Sequence, residues 1–423
     1  MRILWLSHLI PYPPKAGVLL RSYNMVRELA RHHDVDLLAF HQRDLMSPIY
    51  EDVEQGVQEA HDELGKFCGR LQFFQIQVDN KPWGKHWAAL KSLLTGSAYN
   101  LDWLQSRNFA ETLQEWMRDG EYDLVHFDTI SLLPYRSITG NTPAILDHHN
   151  IESHMLWRRA ENEPKRMMSW YFHVEAARLE AYECSQCPMV DLNITCSDID
   201  TARLQKIVPD AQVATVPNGV DVDYFHPGDS SQVAGRLIFV GTLSWYPNAE
   251  AVRFIAQEIW PRLVQRMPNA SVDIIGANPP AELLELARQD SRFRVLGFVD
   301  DMRPAMEQAA VYVCPITDGG GTKLKILDAL AMGKAVVSHP VACEGIDVVD
   351  GQSACFAQSA EQFVEQILLL CDDDEARSLM GKNARILAEE RYAYKAIGEY
   401  LAALVKACAT HTDLPSPMLA PKD

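Results

Sequence analysis

The densest chemistry in this chain lies in Asp318-Gly319-Gly320-Gly321-Thr322-Lys323-Leu324-Lys325-Ile326-Leu327-Asp328. Three glycines run into a helical pattern. Glycine lets backbone approach a ligand closely, and a helix start offers unpaired N–H groups and the positive end of the dipole, which together suit a phosphate. Lys323 and Lys325 add formal charge at the same place. Thr322, Lys325 and Asp328 are three residues apart and share a helix face, whereas Leu324, Leu327 and Ala331 point elsewhere. A solvated Lys325–Asp328 pair worth ~0.3 kcal/mol would use the same residues. The apolar segment Lys334–Ser338 that follows sets this helix against a sheet and favours the phosphate site. No Gly-Lys-Ser/Thr follows the glycines, and no GxGxxG follows a strand, so neither common nucleotide fingerprint is present.

Asp147-His148-His149 ends an apolar run in the first half. An imidazole there can bind a ligand oxygen or activate a hydroxyl, and a structural histidine at a strand end is an equal alternative. A metal is disfavoured because no matching ligand cluster is evident. Lys15 and Arg21 could meet a charged ligand, with ordinary solvent exposure as the plainer reading. Nine scattered cysteines suggest free thiols and a reducing, cytoplasmic location, and Cys184-Ser-Gln-Cys187 lacks the second pair of a zinc site.

The elements that must hold these groups alternate along the chain. Strands are expected at Arg2–Ser7, Val35–Phe40, Phe73–Val78, Leu124–Phe127, Ala144–Asp147 and Leu192–Cys196, with a long helical excursion from Ile151 to Cys184. After a polar Pro227–Gln232 stretch, strands are expected at Leu237–Val240, Ser271–Ile275, Phe293–Leu296, Val311–Pro315 and Ala335–Ser338. Helical patterns between them predict an α/β chain with two doubly wound, Rossmann-like domains, 1–222 and 234–390, facing across a cleft. Residues 391–408 are expected to form a helix crossing back, and 409–423 a disordered tail.

At 423 residues, 47% hydrophobic and 23% charged, the chain can build two cores. Its net charge of −18 argues against a nucleic-acid partner. The first ten residues read as a buried strand rather than a signal peptide, and no apolar run is long enough to span a bilayer. Trp83, Trp87, Leu90 and Leu94 fall at helical spacing among Lys81, Lys85, His86 and Lys91. Segment 81–94 therefore reads either as a helix packed on its own domain or as a basic amphipathic contact with a membrane.

Several motifs, in order, resemble the retaining, nucleotide-sugar-dependent glycosyltransferases of family 4, which have the GT-B fold. They are the Pro13–Gly17 loop with Arg21 after it, His148-His149-Asn150, Ser197, Val216–Asp221, Phe239-Val240-Gly241 and the Gly320–Asp328 segment. The resemblance runs to about Ala407. The family's two glutamates separated by seven residues fall here on Gly320 and Asp328, and the Arg and Lys usual after the donor domain's first strand are replaced by Gly241–Asn248. A subgroup with a GGGTKLK-like loop matches better, and there Lys323 and Lys325 would take the diphosphate.

The resemblance implies transfer of a sugar from a nucleotide diphosphate sugar to a saccharide or lipid-linked acceptor in polysaccharide or glycolipid assembly, at the inner face of a membrane. It implies donor diphosphate contacts from Gly320, Gly321, Thr322, Lys323 and Lys325, with His149 and Lys325 as the catalytic groups. Asp328 would hold the ribose, Gly297, Phe298 and Val299 the nucleobase, and Lys15, Gly17 and Arg21 the acceptor. No cofactor and no metal is expected, because lysines and a helix dipole would take the metal's place. A sugar-nucleotide epimerase of the same fold, or a non-catalytic nucleotide-sugar binder, is the alternative that Gly320 keeps open.

Overall fold

The structure, a computed structural model, describes residues 1–14, 17–43, 50, 52–80, 84, 92, 95–228, 231–318 and 321–418. The chain divides into two compact units. Unit 1 is Met1–Pro217 with Ile397–Asp423, and unit 2 is Asn218–Ala396.

Unit 1 is built in chain order from β1 (Arg2–Ser7), α1 (Gly17–Leu29), β2 (Asp34–His41), β3 (Leu71–Gln75), β4 (Leu124–Phe127) and β5 (Ala144–His148). A helical pair, α2 (Glu152–Asn162) and α3 (Arg166–Gln186), then leads to β6 (Leu192–Thr195) and β7 (Val213–Thr215). The strands form one sheet in the order β3-β2-β1-β4-β5-β6-β7, and every neighbouring pair is parallel. Helices cover both faces, so the strands are mostly apolar and their buried polar residues, such as Asp147 and Asn193, are hydrogen-bonded. In β1, Ile3 and Trp5 enter one core cluster while Leu4 and Leu6 enter the other.

Unit 2 repeats the plan with β8 (Val233–Val240), β9 (Ser271–Ile275), β10 (Phe293–Gly297) and β11 (Ala309–Cys314). After them come α4 (Leu324–Ala331), β12 (Ala335–Ser338) and β13 (Cys355–Phe356). Its parallel sheet has the order β10-β9-β8-β11-β12-β13. In both units the first strand connects forward to a neighbour on one side while a later strand pairs on its other side. This topological switch point is where open α/β sheets bind ligands, beyond the carboxyl ends of the strands. It lies between β1 and β4 in unit 1 and between β8 and β11 in unit 2.

Two strands were not foreseen. The edge strands β7 and β13 have three and two residues, too short to show a period. The expected Phe73–Val78 strand sits earlier, at Leu71–Gln75, because a tight helical turn occupies Gln77–Asn80. The Pro/Gly/Ser stretch does not mark the division. Val220 N–H donates to the Tyr392 carbonyl, and Arg385 donates to the carbonyls of Val222, Phe225 and Ala331, which ties the chain from Asn218 onward into unit 2. The last helix, α5 (Tyr394–Thr410), carries Ile397, Leu401, Leu404, Val405 and Cys408 into a unit 1 core. Beyond it Leu414 and Met418 pack on the same core, so the described part of the expected tail is ordered against the domain.

Candidate functional site

The unit 1 switch point gathers side chains from the ends of three adjacent strands. Asp128, just after β4, is fully buried. Ser7 Oγ donates to its Oδ2 at 2.8 Å and Ser22 Oγ to its Oδ1 at 3.0 Å. His8 Nδ1, after β1, lies 3.1 Å from Oδ2, and His149 Nε2, after β5, lies 3.2 Å from Oδ1. Burial alone would push this carboxyl up, but His149 and His8 outweigh it and hold it below its ordinary range. The reciprocal holds for His149: burial opposes its charged form, while Asp128 beside it raises it above the ordinary imidazole value. Nε2 is engaged with Asp128, so Nδ1 is the ring atom left for a ligand. His8 and His149 open on a cavity of ≈ 570 Å³ whose walls include Leu9, Trp103, Glu152 and Arg159. Thr129 Oγ1 donates to Glu152 at 2.7 Å, which fixes that carboxylate in the wall.

The residues beside this cluster behave differently from expectation. Arg21 is not presented to an acceptor. It is buried, donating to both Asp147 oxygens at 3.0 and 3.2 Å and to the Val216 carbonyl at 2.9 Å. A long cation directed into a sheet's edge needs a buried anion, and Asp147 supplies it. Gly17 only opens α1, and Lys15 lies outside the described residues. His148 turns inward to Asn193 Oδ1 at 3.1 Å. Of the Asp147-His148-His149 triplet, only His149 joins other potential metal ligands. One ring nitrogen each of His149 and His8 and an Asp128 oxygen lie within 4.8 Å of one another, a two-imidazole, one-carboxylate set. Asp128 is already satisfied by the two serines and the two rings, so nothing orphaned there demands an ion. Cys187 is buried and Cys184 exposed, and neither belongs to a metal-competent group among the described residues.

At the unit 2 switch point the loop after β11 meets the loop after β8. α4 starts at Leu324 with no side-chain cap, and in its first turn the Ile326 N–H donates to the Lys323 carbonyl at 2.8 Å. Lys323 is buried and donates to the Gly321 carbonyl at 2.9 Å. Lys325 Nζ reaches across to Asn248 Oδ1 and sits 5.2 Å from the Phe239 ring centre. Asn248 is fixed in turn by its Nδ2 on the Thr242 carbonyl at 2.8 Å. Gly241 makes this approach possible, because a Cβ there would lie 2.4 Å from Lys325 Nζ. Thr322 Oγ1 is buried without a hydrogen-bond partner among the described residues. Asp328 lies one turn along α4 from Lys325. Burial pushes Lys325 down to about 8 and Asp328 up to about 7, the second opposed only by Lys325. Gly276 and Gly297 bring the neighbouring loops alongside, since Gly276 N–H donates to the Gly297 carbonyl at 2.8 Å. Phe298 stands 72% exposed at that edge, with Val299 half-buried beyond it.

Of the expected helix face, Lys325 and Asp328 lie together on α4, whereas Thr322 and Lys323 lie in the loop before it. Gly320 and segment 81–94, apart from residues 84 and 92, lie outside the described residues. Sequence reasoning missed His8, Asp128 and Asn248. Nothing in the local pattern singles out His8, just beyond β1. The signal for Asp128 is an acid placed directly after a buried strand. Asn248 carries no charge of its own and acts by holding Lys325.

Comparison with known proteins covers both units. Residues 86–224 match the model described as Glycosyltransferase Family 4, and residues 234–373 match Glycosyl transferases group 1. A phosphatidyl-myo-inositol mannosyltransferase of Mycobacterium tuberculosis is 31% identical over 152 residues, 34% of this chain and 39% of that protein. Its namesake from Mycolicibacterium smegmatis is 25% identical over 280 residues, 63% of this chain and 66% of that protein. The chain thus spans about two fifths of the first relative's length and about two thirds of the second's. Among solved structures, sucrose-phosphate synthase from Thermosynechococcus elongatus aligns with a TM-score of 0.66 at 15% identity, covering 97% of this chain and 100% of that one. Anabaena HepE in complex with UDP aligns at 0.64 and 14% identity, covering 96% and 100%. With both domain models matched and the two parallel sheets in place, the chain has the GT-B fold of the group 1, family 4-like glycosyltransferases.

Proposed function

We propose that this protein is a retaining glycosyltransferase that moves a sugar from a nucleoside diphosphate sugar to a saccharide or lipid-linked acceptor in polysaccharide or glycolipid assembly. The observation that carries the reading is Lys325. It is an amine held by a neutral amide at the start of α4, a helix without a side-chain cap, beside a Thr322 hydroxyl that has no hydrogen-bond partner among the described residues. Departure of the sugar from the diphosphate builds negative charge on the phosphate oxygens, and preorganised positive groups there lower the barrier. Lys325, Lys323, Thr322 and the Gly321 amide supply that field, with Gly320 in the same loop. Asp328 accepts the ribose hydroxyls, and the Gly297–Val299 backbone meets the nucleobase edge. Lysines and the α4 dipole take the place of a metal in this scheme.

On the acceptor side, His149 is the catalytic group of unit 1. Because Asp128 favours its charged form, it acts as a hydrogen-bond donor to a sugar oxygen rather than as a strong base. Retention follows from the family 4 resemblance. The membrane-lipid name of the mycobacterial relatives and the UDP bound to HepE support a glycolipid acceptor and a nucleotide donor. Among the described residues no helix is long and apolar enough to cross a membrane, so the enzyme would meet a lipid-linked acceptor from the inner face of the membrane as a peripheral protein.

A panel of nucleoside diphosphate sugars tests this by thermal shift, since ligand at ~100 times Kd adds about 2.7 kcal/mol. Stabilisation by one nucleotide class and acceptor-dependent release of nucleoside diphosphate are expected. Turnover of the donor without any acceptor would instead mark an epimerase. Absence of stabilisation by every nucleotide would overturn the reading.

A further inference from the structure

The tip of the α2–α3 pair, Lys165 to Trp170, carries exposed side chains that the cavity described above does not include. Met167 is 77% exposed, Trp170 59% and Met155 49%, in a stretch where α3 otherwise buries Phe172, Ala176 and Leu179. Between Met155 and Trp170 there are four cations, Arg158, Arg159, Lys165 and Arg166, against two acids, Glu161 and Glu163. This is a local positive excess in a chain of net charge −18. α2 follows the carboxyl end of β5 and α3 leads back to β6, and the turn between them, Glu161 to Met167, is exposed almost throughout. The base of α2 borders the acceptor cavity, which Met155, Leu156 and Arg159 line. Ser92, at the end of the basic stretch 81–94, is fastened to α3. Its Oγ donates to Glu175 at 3.2 Å, and its carbonyl accepts from Arg178 at 2.9 Å.

We infer that the tip of the α2–α3 hairpin, Arg158 to Trp170, is a docking surface for an anionic lipid bilayer. Met167 and Trp170 enter the interface, Lys165 and Arg166 meet the headgroups, and the cavity beside α2 is held at the level of the lipid that carries the acceptor. Exposed Trp and Met flanked by lysine and arginine suit an interface that is apolar on one side and anionic on the other. The purpose given to the contact rests on the lipid-linked acceptor reading, but the contact itself does not.

Flotation of the full chain with vesicles therefore needs neither donor nor acceptor. Binding to phosphatidylcholine vesicles containing 30% phosphatidylglycerol and weaker binding to pure phosphatidylcholine are expected. Each surface cation contributes about 5-fold to partitioning. Lys165→Glu/Arg166→Glu should then weaken anionic binding by at least 25-fold, and Met167→Ser/Trp170→Ser by about 10-fold or more. These side chains are exposed, so both variants should keep the wild-type Tm and wild-type nucleotide binding. Three results overturn the proposal: no binding to anionic vesicles, equal binding by wild type and both variants, or a wild-type dimer that Met167→Ser/Trp170→Ser makes monomeric. The last would show a second copy covering this surface.

Discussion

Lys325 makes the donor reading quantitative. Its amine is pushed down to about 8 because it is enclosed beside Phe239 and has only the neutral Asn248 oxygen as a hydrogen-bond acceptor among the described residues. In the free protein it is about nine-tenths protonated at pH 7 and about one-tenth at pH 9. A bound diphosphate restores the charge, so binding takes up a proton above pH 8, and Kd should rise about fivefold between pH 8 and pH 9, approaching tenfold per pH unit beyond that. Lys325→Arg, whose charge does not titrate there, should flatten this slope, and Lys325→Met should flatten it at much weaker affinity. Calorimetric titration with a nucleoside diphosphate, in buffers of different ionisation enthalpy, reads both the affinity and the proton. A slope in Lys325→Met equal to wild type would refute the assignment.

The same shift has a folding consequence. An amine whose folded value lies below its unfolded 10.5 destabilises the fold at pH below about 8, and the penalty fades as pH rises from 8 towards 10.5. Asp328, raised to about 7, is disfavoured in the opposite window. Its penalty is absent below about 4, grows as pH rises to 7 and is full above it. Near pH 7.5 the free site therefore holds both charges at some expense to stability. Discounted for partial exposure and mutual attraction, this amounts to about 1–2 kcal/mol for Lys325. Lys325→Met should raise the Tm of the free protein by a few degrees while it abolishes tight nucleotide binding. A variant that loses binding and stability together would show Lys325 to be structural.

Gly241→Ala puts a methyl group against Lys325 Nζ and Asn248 Nδ2, both movable side-chain ends, so the fold should survive within about 2 °C of Tm while nucleotide affinity falls at least tenfold. Asp128→Asn removes the anion that opposes the burial of His149. The His149 ring resonances should titrate above 6.5 in wild type and below it in the variant, with transfer lost at neutral pH. Arg21→Leu strands the buried Asp147 charge and should destabilise unit 1 by about 3–5 kcal/mol, most of it recovered in Arg21→Leu/Asp147→Leu. An Arg21→Leu protein with wild-type Tm and weakened acceptor binding would return Arg21 to the acceptor site.

What could be read beforehand followed the distance along the chain over which each signal is written. Lys325 and Asp328 are one face of α4, and their meeting needs only the helical period, whereas Thr322 lies in the loop before the helix and not on that face. Asp128 meets His8 across 120 residues and His149 across 21, so their meeting depends on β4 pairing between β1 and β5. No local pattern announces that pairing. Arg21 misled for the same reason: its partners, Asp147 and Val216, are 126 and 195 residues away. The alternation of strands and helices, by contrast, is local and repeated, and the two sheets followed from it, short edges excepted.

The two switch points differ in a way that assigns them different tasks. In unit 1 the buried carboxylate of Asp128 is met by two hydroxyls and two imidazoles, so its charge is compensated before any ligand arrives. Such a cluster orients His149 and gains little from an incoming ion. In unit 2 a cation is held against a neutral amide, the Thr322 hydroxyl has no partner among the described residues, and α4 starts without a side-chain cap. Each of those deficits is of the kind that a polyanion with several acceptor oxygens removes. If a neutral saccharide is found to stabilise unit 2 more than a diphosphate does, that division of labour is wrong. If the diphosphate stabilises it, the reciprocal gain must appear as raised protonation of Lys325, measurable as the proton uptake above pH 8.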